Sequence, residues 1–270
     1  MSVKGTLKQV IPLSAWKMLH RTYSGIIHLP DLPSAYLHPW RRASMNRLAG
    51  LKNVHKGQRA VIIGNGPSLK QTDLSRLNGE FTFGLNRIYM MFPELGFGTT
   101  YYVAVNDLVI EQCLDDICAL PMPKFLSWRT HASFPSDSLP ANFLYTTYDN
   151  PAFARDVRWR VWESATVTYV ALQLAFHMGF EQVILVGVDH NSNVPGKANT
   201  TIVSTGDDPN HFNPGYFGKG FRWQLPDFET SEIGYRLARK AYEADGRQVL
   251  DATIGGKLTV FPKVDYQSLF

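Results

Sequence analysis

Apolar runs of strand length alternate with stretches of helical period along most of this chain. Arg59–Ile63, Phe81–Leu85 and Tyr101–Val105 read as strands, joined by Lys124–Ser127, Phe143–Thr146, Gln182–Val186 and Gln248–Leu250. Strands that are continuously apolar, rather than alternating, are those buried on both faces of a parallel sheet. Leu69–Leu77, Asp107–Leu120, Ser164–Met178 and Phe228–Ala244 have helical spacing; Asn106 or Asp107 caps the second and Gly179 closes the third. Residues 190–227 are rich in Gly, Pro, Asn and Asp and show no period, which predicts a lid or binding loop. The alternation places the chain in the α/β class: a Rossmann-like, mostly parallel sheet with helices on both faces. Pro30, Pro33 and Pro39 interrupt the stretch before it, so residues 1–55 read as an extension and 56–270 as a single domain.

Ligands of such sheets sit beyond the carboxyl ends of the strands, and the polar punctuation falls there. The first strand ends in Gly64-Asn65-Gly66-Pro67-Ser68-Leu69. Two glycines allow close backbone approach, proline suits a first helical turn, and the amides of such a turn can hold phosphate. Leu69 stands where the dinucleotide fingerprint needs glycine, and no Gly-Lys-Ser/Thr follows, so neither common nucleotide motif applies. An ordinary strand–turn–helix corner gives the same local pattern, but Asn65 between the glycines offers a donor and an acceptor together. Asn86, Asn106 and Asp189 follow later strands. Each also fits a helix cap or turn former; three asparagines in corresponding places suit a ligand rich in hydroxyl and carbonyl groups.

Composition narrows the class. Cys113 and Cys118 are the only cysteines in 270 residues, which fits a reducing compartment, and no apolar run approaches a membrane span. The net charge of +4 is unevenly spread: residues 1–60 carry ten Lys/Arg against Asp31, or +9, leaving −5 on the rest. Basic residues interleaved with Ile11, Leu13, Trp16, Met18, Leu19 and Tyr23 suit an anionic membrane surface. A packed arm with a solvated basic face has the same composition. Nucleic acid is not expected, because no recognised binding module accompanies the charge.

Val61 to Leu69, followed by Asp73-Leu74-Ser75-Arg76-Leu77, Gly84-Leu85-Asn86-Arg87 and Val105-Asn106-Asp107, resembles the bacterial sialyltransferases of glycosyltransferase family 42. The resemblance returns at Ala171–Phe180 and Val183–Asp189 and covers roughly residues 58–190. The same outline is shared with the 6-hydroxymethylpterin diphosphokinase-like family, which includes flagellin-glycosylation proteins. It implies a single nucleotide-binding domain of variant GT-A-like form and a cytidine-nucleotide sugar as co-substrate, with no other cofactor. It further implies a glycan acceptor; with the basic extension, the expectation is a cytoplasmic protein held peripherally at the inner face of the membrane. The residues so assigned to the nucleotide sugar are Gly64, Asn65, Gly66, Ser68, Asn86, Asn106, Ser164, Thr166 and Asp189. In the family a Thr-Ser-Gly opens the long helix; here Ser164-Ala165-Thr166 stands there without glycine. The family's lid His-Tyr corresponds to His211-Phe212, with His211 as general base and Tyr216 as a lid tyrosine.

Glycosyl transfer needs a base near the acceptor hydroxyl and a partner for the departing phosphate. His211, near Asp207, Asp208 and Asn210, is the first candidate base and His190 the second. No D-x-D triplet occurs, so metal-independent transfer is expected, with helix N-terminal amides, Tyr216, and Lys219 or Arg222 at the phosphate. Two other readings stay open. One is Mg²⁺-dependent diphosphate transfer from ATP to a pterin-like alcohol through Asp107, Asp189, Asp207 and Asp208; the other is a non-catalytic glycan-binding domain. Assembly into a homo-oligomer, and the sugar, acceptor and linkage, are not set by the sequence.

Overall fold

The computed structural model describes residues 22–23, 26–135 and 141–270. Its centre is an eight-stranded sheet whose neighbouring strands are all parallel. In chain order the strands are β1 (Arg59–Ile63), β2 (Phe81–Leu85), β3 (Tyr101–Ala104), β4 (Lys124–Ser127), β5 (Ala141–Thr147), β6 (Arg160–Trp162), β7 (Gln182–Val186) and β10 (Gln248–Asp251). A separate antiparallel hairpin pairs β8 (Thr201–Val203) with β9 (Arg222–Gln224). Among the described residues, the helices of six or more residues are α1 (Leu32–Leu37), α2 (Pro39–Gly50), α3 (Asp107–Gln112), α4 (Leu114–Ala119), α5 (Val167–Met178) and α6 (Phe228–Glu243).

The spatial order β10-β7-β1-β2-β3-β4-β5-β6 makes β1 the centre from which the chain runs first one way and then the other. The strand order reverses between β1 and β7, and a crevice opens at such a switch point. Alternate residues of β1 and β7 feed two cores. Ala60, Ile62, Val183 and Leu185 meet α5 and α6 on one face. Val61, Ile63, Ile184 and Val186 meet Phe212, Tyr216, Phe217, Trp223 and Leu225 on the other. Within the segment expected to be an aperiodic lid, Phe212, Tyr216, Phe217, Trp223 and Leu225 form a packed aromatic layer and a short hairpin is present, while most of residues 191–211 are exposed or half-buried. The hairpin's three-residue strands are too brief to show a period.

Other elements depart from expectation for local reasons. The stretch 69–77 forms two 3₁₀ turns, Pro67–Gln71 and Leu74–Leu77, because Asp73 accepts from Ser75 N and starts the second. The helix expected over 107–120 breaks at Cys113.

Residues 32–55, assigned to an extension, are built into the domain. Arg47 of α2 donates to Asn142 Oδ1 (2.8 Å) and Ala141 O (2.6 Å), and Ser44 Oγ accepts from Phe143 N (3.0 Å). Arg41 is fully buried and donates to Arg158 O (2.6 Å). Their guanidinium groups bind backbone carbonyls inside the fold, which a count of charges cannot reveal. Positions 1–21, which carry much of the membrane expectation, lie outside the described residues.

One arginine ties together the strand ends that form the rim of the crevice. Arg129, just after β4, donates to Val105 O (3.1 Å) and Thr146 O (3.1 Å), and pairs with both carboxylate oxygens of Asp107 (3.1 and 3.0 Å). Its Nη1 lies 2.8 Å from Glu163 Oε1, on the turn that enters α5. Burial lifts the Glu163 carboxyl above its usual range, against the pull of Arg129. Removing one member of such a pair strands the other. Arg129→Met is expected to cost about 3 kcal/mol in urea unfolding, with a smaller loss when Glu163→Gln is added.

Acid sensitivity is expected at the contact between α2 and α5. His177 Nε2 donates to Leu48 O (2.8 Å), and burial holds the imidazole below its usual pKa. A neutral buried histidine binds fewer protons folded than unfolded, so its contribution is complete above the unfolded value of about 6.5 and fades as pH falls below it. The urea midpoint should drop between pH 7 and pH 5, and His177→Gln should flatten part of that slope. An unchanged slope contradicts this assignment.

Candidate functional site

The residues that follow β1, β2, β3 and β7 meet the entrance of α5 and the aromatic layer around a cleft. A hollow of about 190 Å³ is lined by Gly64–Gly66, Asn86, Ala165–Thr168, His190, Asn210, His211 and Tyr216, among others. It adjoins a groove of about 770 Å³ that continues past Asn106, Asp107, Tyr148, Glu163 and Gln224.

Four amides of the turn after β1 are already engaged within the fold. Gly64 N donates to Val186 O (2.8 Å), Gly66 N to Gly187 O (2.9 Å), and Leu69 N to Gly66 O (3.2 Å). Ser68 N and Oγ both donate to the Asp189 carboxylate (3.1 and 2.6 Å). The place where a phosphate was expected is held by the protein's own carboxylate. Burial raises the Asp189 pKa while the two bonds from Ser68 oppose the rise.

The glycines serve the same packing. A Cβ on Gly64 would collide with Gly187 O, and one on Gly66 with Asp189 Oδ2. Their close approach is to the end of β7. Ser68 and Asp189 thus belong to the wall behind the cleft.

Asn65 does reach the hollow. Its Nδ2 donates to Leu85 O (3.0 Å), and its buried Oδ1 has no partner. Asn86 adopts φ +47° and likewise keeps an unpartnered Oδ1, while Asn210 keeps an unpartnered Nδ2. Three residues that line the hollow thus each carry a buried polar atom without a partner, two acceptors and one donor, and such atoms are costly unless a ligand or water meets them. Asn106 spends its Oδ1 capping α3, accepting from Leu108 N (3.0 Å) and Val109 N (3.3 Å).

The entrance of α5 supplies the positive pole. Thr166 is the N-cap and accepts from Thr168 N (3.3 Å), so the first turn of a twelve-residue helix opens on the hollow. Before it, Ser164 and Ala165 both sit in the left-handed region (φ +44° and +58°), a strain that non-glycine residues seldom carry. Ser164 itself is fully buried and donates to Thr230 O (2.7 Å), turned away toward α6. Ala165 and Thr166 line the cleft in its place.

His211 stands across from this pole. Its Nδ1 donates to Asp208 Oδ2 (2.6 Å), which fixes the tautomer and leaves the lone pair on Nε2. Asp208 is anchored by Asn210 N (2.8 Å) and Phe217 N (3.2 Å). Phe212 N donates to Asn65 O (2.9 Å), tying the histidine's segment to the turn after β1.

Tyr216 is fully buried and stacks on His211, with ring centroids 4.0 Å apart. Its hydroxyl accepts from Arg87 N (3.3 Å), so it supports the imidazole instead of closing over a phosphate. Arg222 pairs with Glu111 (3.5 Å), and no lysine or arginine is among the described residues lining hollow or groove.

The sequence did not point to Arg129 or to the spare amide of Asn210. The first depends on contacts between distant strand ends, and the second only on which side-chain atoms lack partners.

No protein-family model matches the chain, and no curated protein matches it. Among solved structures it is similar to the MAf glycosyltransferase from Magnetospirillum magneticum AMB-1. That likeness spans 92% of this chain and 42% of the other, at 14% identity and a TM-score of 0.49. The chain thus covers less than half the length of that protein.

Proposed function

We propose that this chain is a glycosyltransferase that binds a nucleotide-activated sugar in the cleft at the β1/β7 switch point. The observation that carries the reading is a convergence. A His211–Asp208 pair, three spare amide groups and the start of α5 line one hollow. Asn65 and Asn86 offer acceptors for hydroxyl or amino groups of the nucleoside, and Asn210 a donor. The N-terminal turn of α5 favours the phosphate, and His211 Nε2 takes the proton of the acceptor hydroxyl.

The resemblance of residues 58–190 to the sialyltransferases makes a cytidine-monophosphate-activated sugar, sialic acid or a relative, the donor to test first. A surface-glycan hydroxyl is the acceptor, and transfer proceeds without a metal. Of the four carboxylates that the diphosphokinase reading would use, three already have partners, Asp207 being the other: Asp107 holds Arg129, Asp189 holds Ser68 and Asp208 holds His211.

Calorimetry with cytidine monophosphate, cytidine diphosphate and ATP, with and without EDTA, tests the reading. Selective binding of a cytidine nucleotide that survives EDTA is expected. Asn65→Ala should weaken binding by about tenfold, the size of one buried hydrogen bond. His211→Gln should lower turnover by roughly 10²–10⁴ while changing nucleotide affinity little. Binding of ATP with EDTA-sensitive turnover contradicts it.

We further propose that the amino-terminal segment rests on an anionic membrane. No helix among the described residues is long and apolar enough to cross one. Tyr23, Ile26, Ile27, Leu29 and Leu37 are exposed next to the basic run of the first 21 residues. The full chain should co-sediment with phosphatidylserine-containing vesicles, and replacing Ile26, Ile27 and Leu29 by serine should reduce this severalfold. Equal sedimentation with neutral vesicles contradicts the proposal.

A further inference from the structure

The departing phosphate needs a positive partner beyond a helix end, and the cleft offers one in a second histidine. His190 follows Asp189 directly and sits in the left-handed region at φ +54°. It lines both hollow and groove, beside Ala165, Thr166 and Val167 at the start of α5. Its Nε2 lies 3.2 Å from Glu232 Oε1 on α6, and Arg236 Nη1 donates to the other oxygen of that carboxylate (2.9 Å). Phe228 packs edge-on against the ring, with centroids 4.6 Å apart, and Tyr235 lies at 6.0 Å.

A carboxylate only accepts, so Glu232 keeps a proton on Nε2. Nδ1 has no hydrogen-bond partner among the described residues. A protonated ring would carry a charged Nδ1–H donor on the lining that it shares with the start of α5, with Glu232 bound to its other nitrogen as counter-ion.

The surrounding charges fit this role. Asp189, the preceding residue, is turned to Ser68, and Arg236 is drawn to Glu232. The hydroxyl of Tyr235 lies 3.4 Å from Thr166 Oγ1, and His211, on the aromatic layer, is engaged with Asp208. Among the described lining residues, the two histidines are the side chains able to carry positive charge.

Resting on the reading given under Proposed function, we propose that His190, held by Glu232, binds the phosphate of the donor and stabilises it as it leaves. In the transfer the bond between sugar carbon and phosphate oxygen breaks, and its electron pair stays on that oxygen. The acceptor oxygen forms the new bond to carbon, and its proton passes to His211 Nε2. His190 donates Nδ1–H to the phosphate oxygen that gains the charge. The two histidine–carboxylate pairs thus take opposite roles, one accepting a proton and one meeting negative charge.

The test is proton-linked binding. Cytidine monophosphate is titrated calorimetrically into the full chain between pH 6.5 and pH 8.5, in buffers of differing ionisation enthalpy, to count protons taken up. The wild-type protein is expected to take up a proton on binding, with affinity falling as pH rises. His190→Gln should bind about tenfold more weakly, without that uptake and with a flat pH dependence. Glu232→Gln should keep part of the uptake, and His211→Gln should keep it all. Melting temperatures within a few degrees of wild type show that the variants fold. Uptake unchanged in His190→Gln, or lost in His211→Gln alone, overturns the assignment while leaving nucleotide binding intact. A wild-type protein that binds no cytidine nucleotide overturns the donor reading together with this one.

Discussion

The Asp189 carboxylate, bonded to the backbone and hydroxyl of Ser68, joins the turn after β1 to the end of β7 and shapes the site around it. A carboxylate in that position satisfies the first N–H of the 3₁₀ turn and puts negative charge where a second anion would have to sit. Gly64 and Gly66 are small because the chain end of β7 presses against them. With that seat taken, the positive pole open to the cleft is the first turn of α5, a full helix whose start lies across the same crevice. The asparagines after β1 and β2 remain as neutral recognition groups.

The entrance of α5 is held in place by two constraints acting on adjacent residues. Arg129 draws Glu163 toward the ends of β3 and β5. Ser164 is pinned beneath α6 through Thr230 O, at a point where Gly234 permits the approach. Between these anchors the backbone takes two left-handed residues before Thr166 caps the helix. Strain of this kind persists where surrounding contacts over-determine it. Here the network of Arg129 and the packing of α6 provide those contacts, so the strain is the consequence of placing Ala165 and Thr166 at the cleft.

The fold was legible where burial imposes a simple pattern. Val61–Ile63 and Val183–Val186 face core on both sides, so they are apolar without interruption, and Gly179 closes α5 in the left-handed conformation that favours glycine. Strand-end asparagines were legible as a set, because the topology of a parallel sheet places them at one edge. What was hidden depends on distant partners. Nothing near Ser68 in the chain announces that Asp189 will occupy its turn. The basic residues Arg41 and Arg47 count as surface charge until the structure shows them bound to backbone carbonyls. Ser164 and Ala165 differ by one position in register, and only the strained bend decides which of them faces the cleft. The corner that carries the family resemblance lies at the cleft, while the contacts it makes are this chain's own.

Amide chemical shifts offer the most direct measurement of where a ligand's phosphate lies. In a ¹⁵N-labelled sample titrated with cytidine monophosphate, the backbone amides of Val167 and Thr168 and the side-chain amides of Asn65 and Asn86 should move. The backbone amides of Ser68 and Leu69 should stay near their free positions, because Asp189 keeps its hold. Large shifts at Ser68 with none at Val167 and Thr168 would place the phosphate on the turn after β1 and contradict the account.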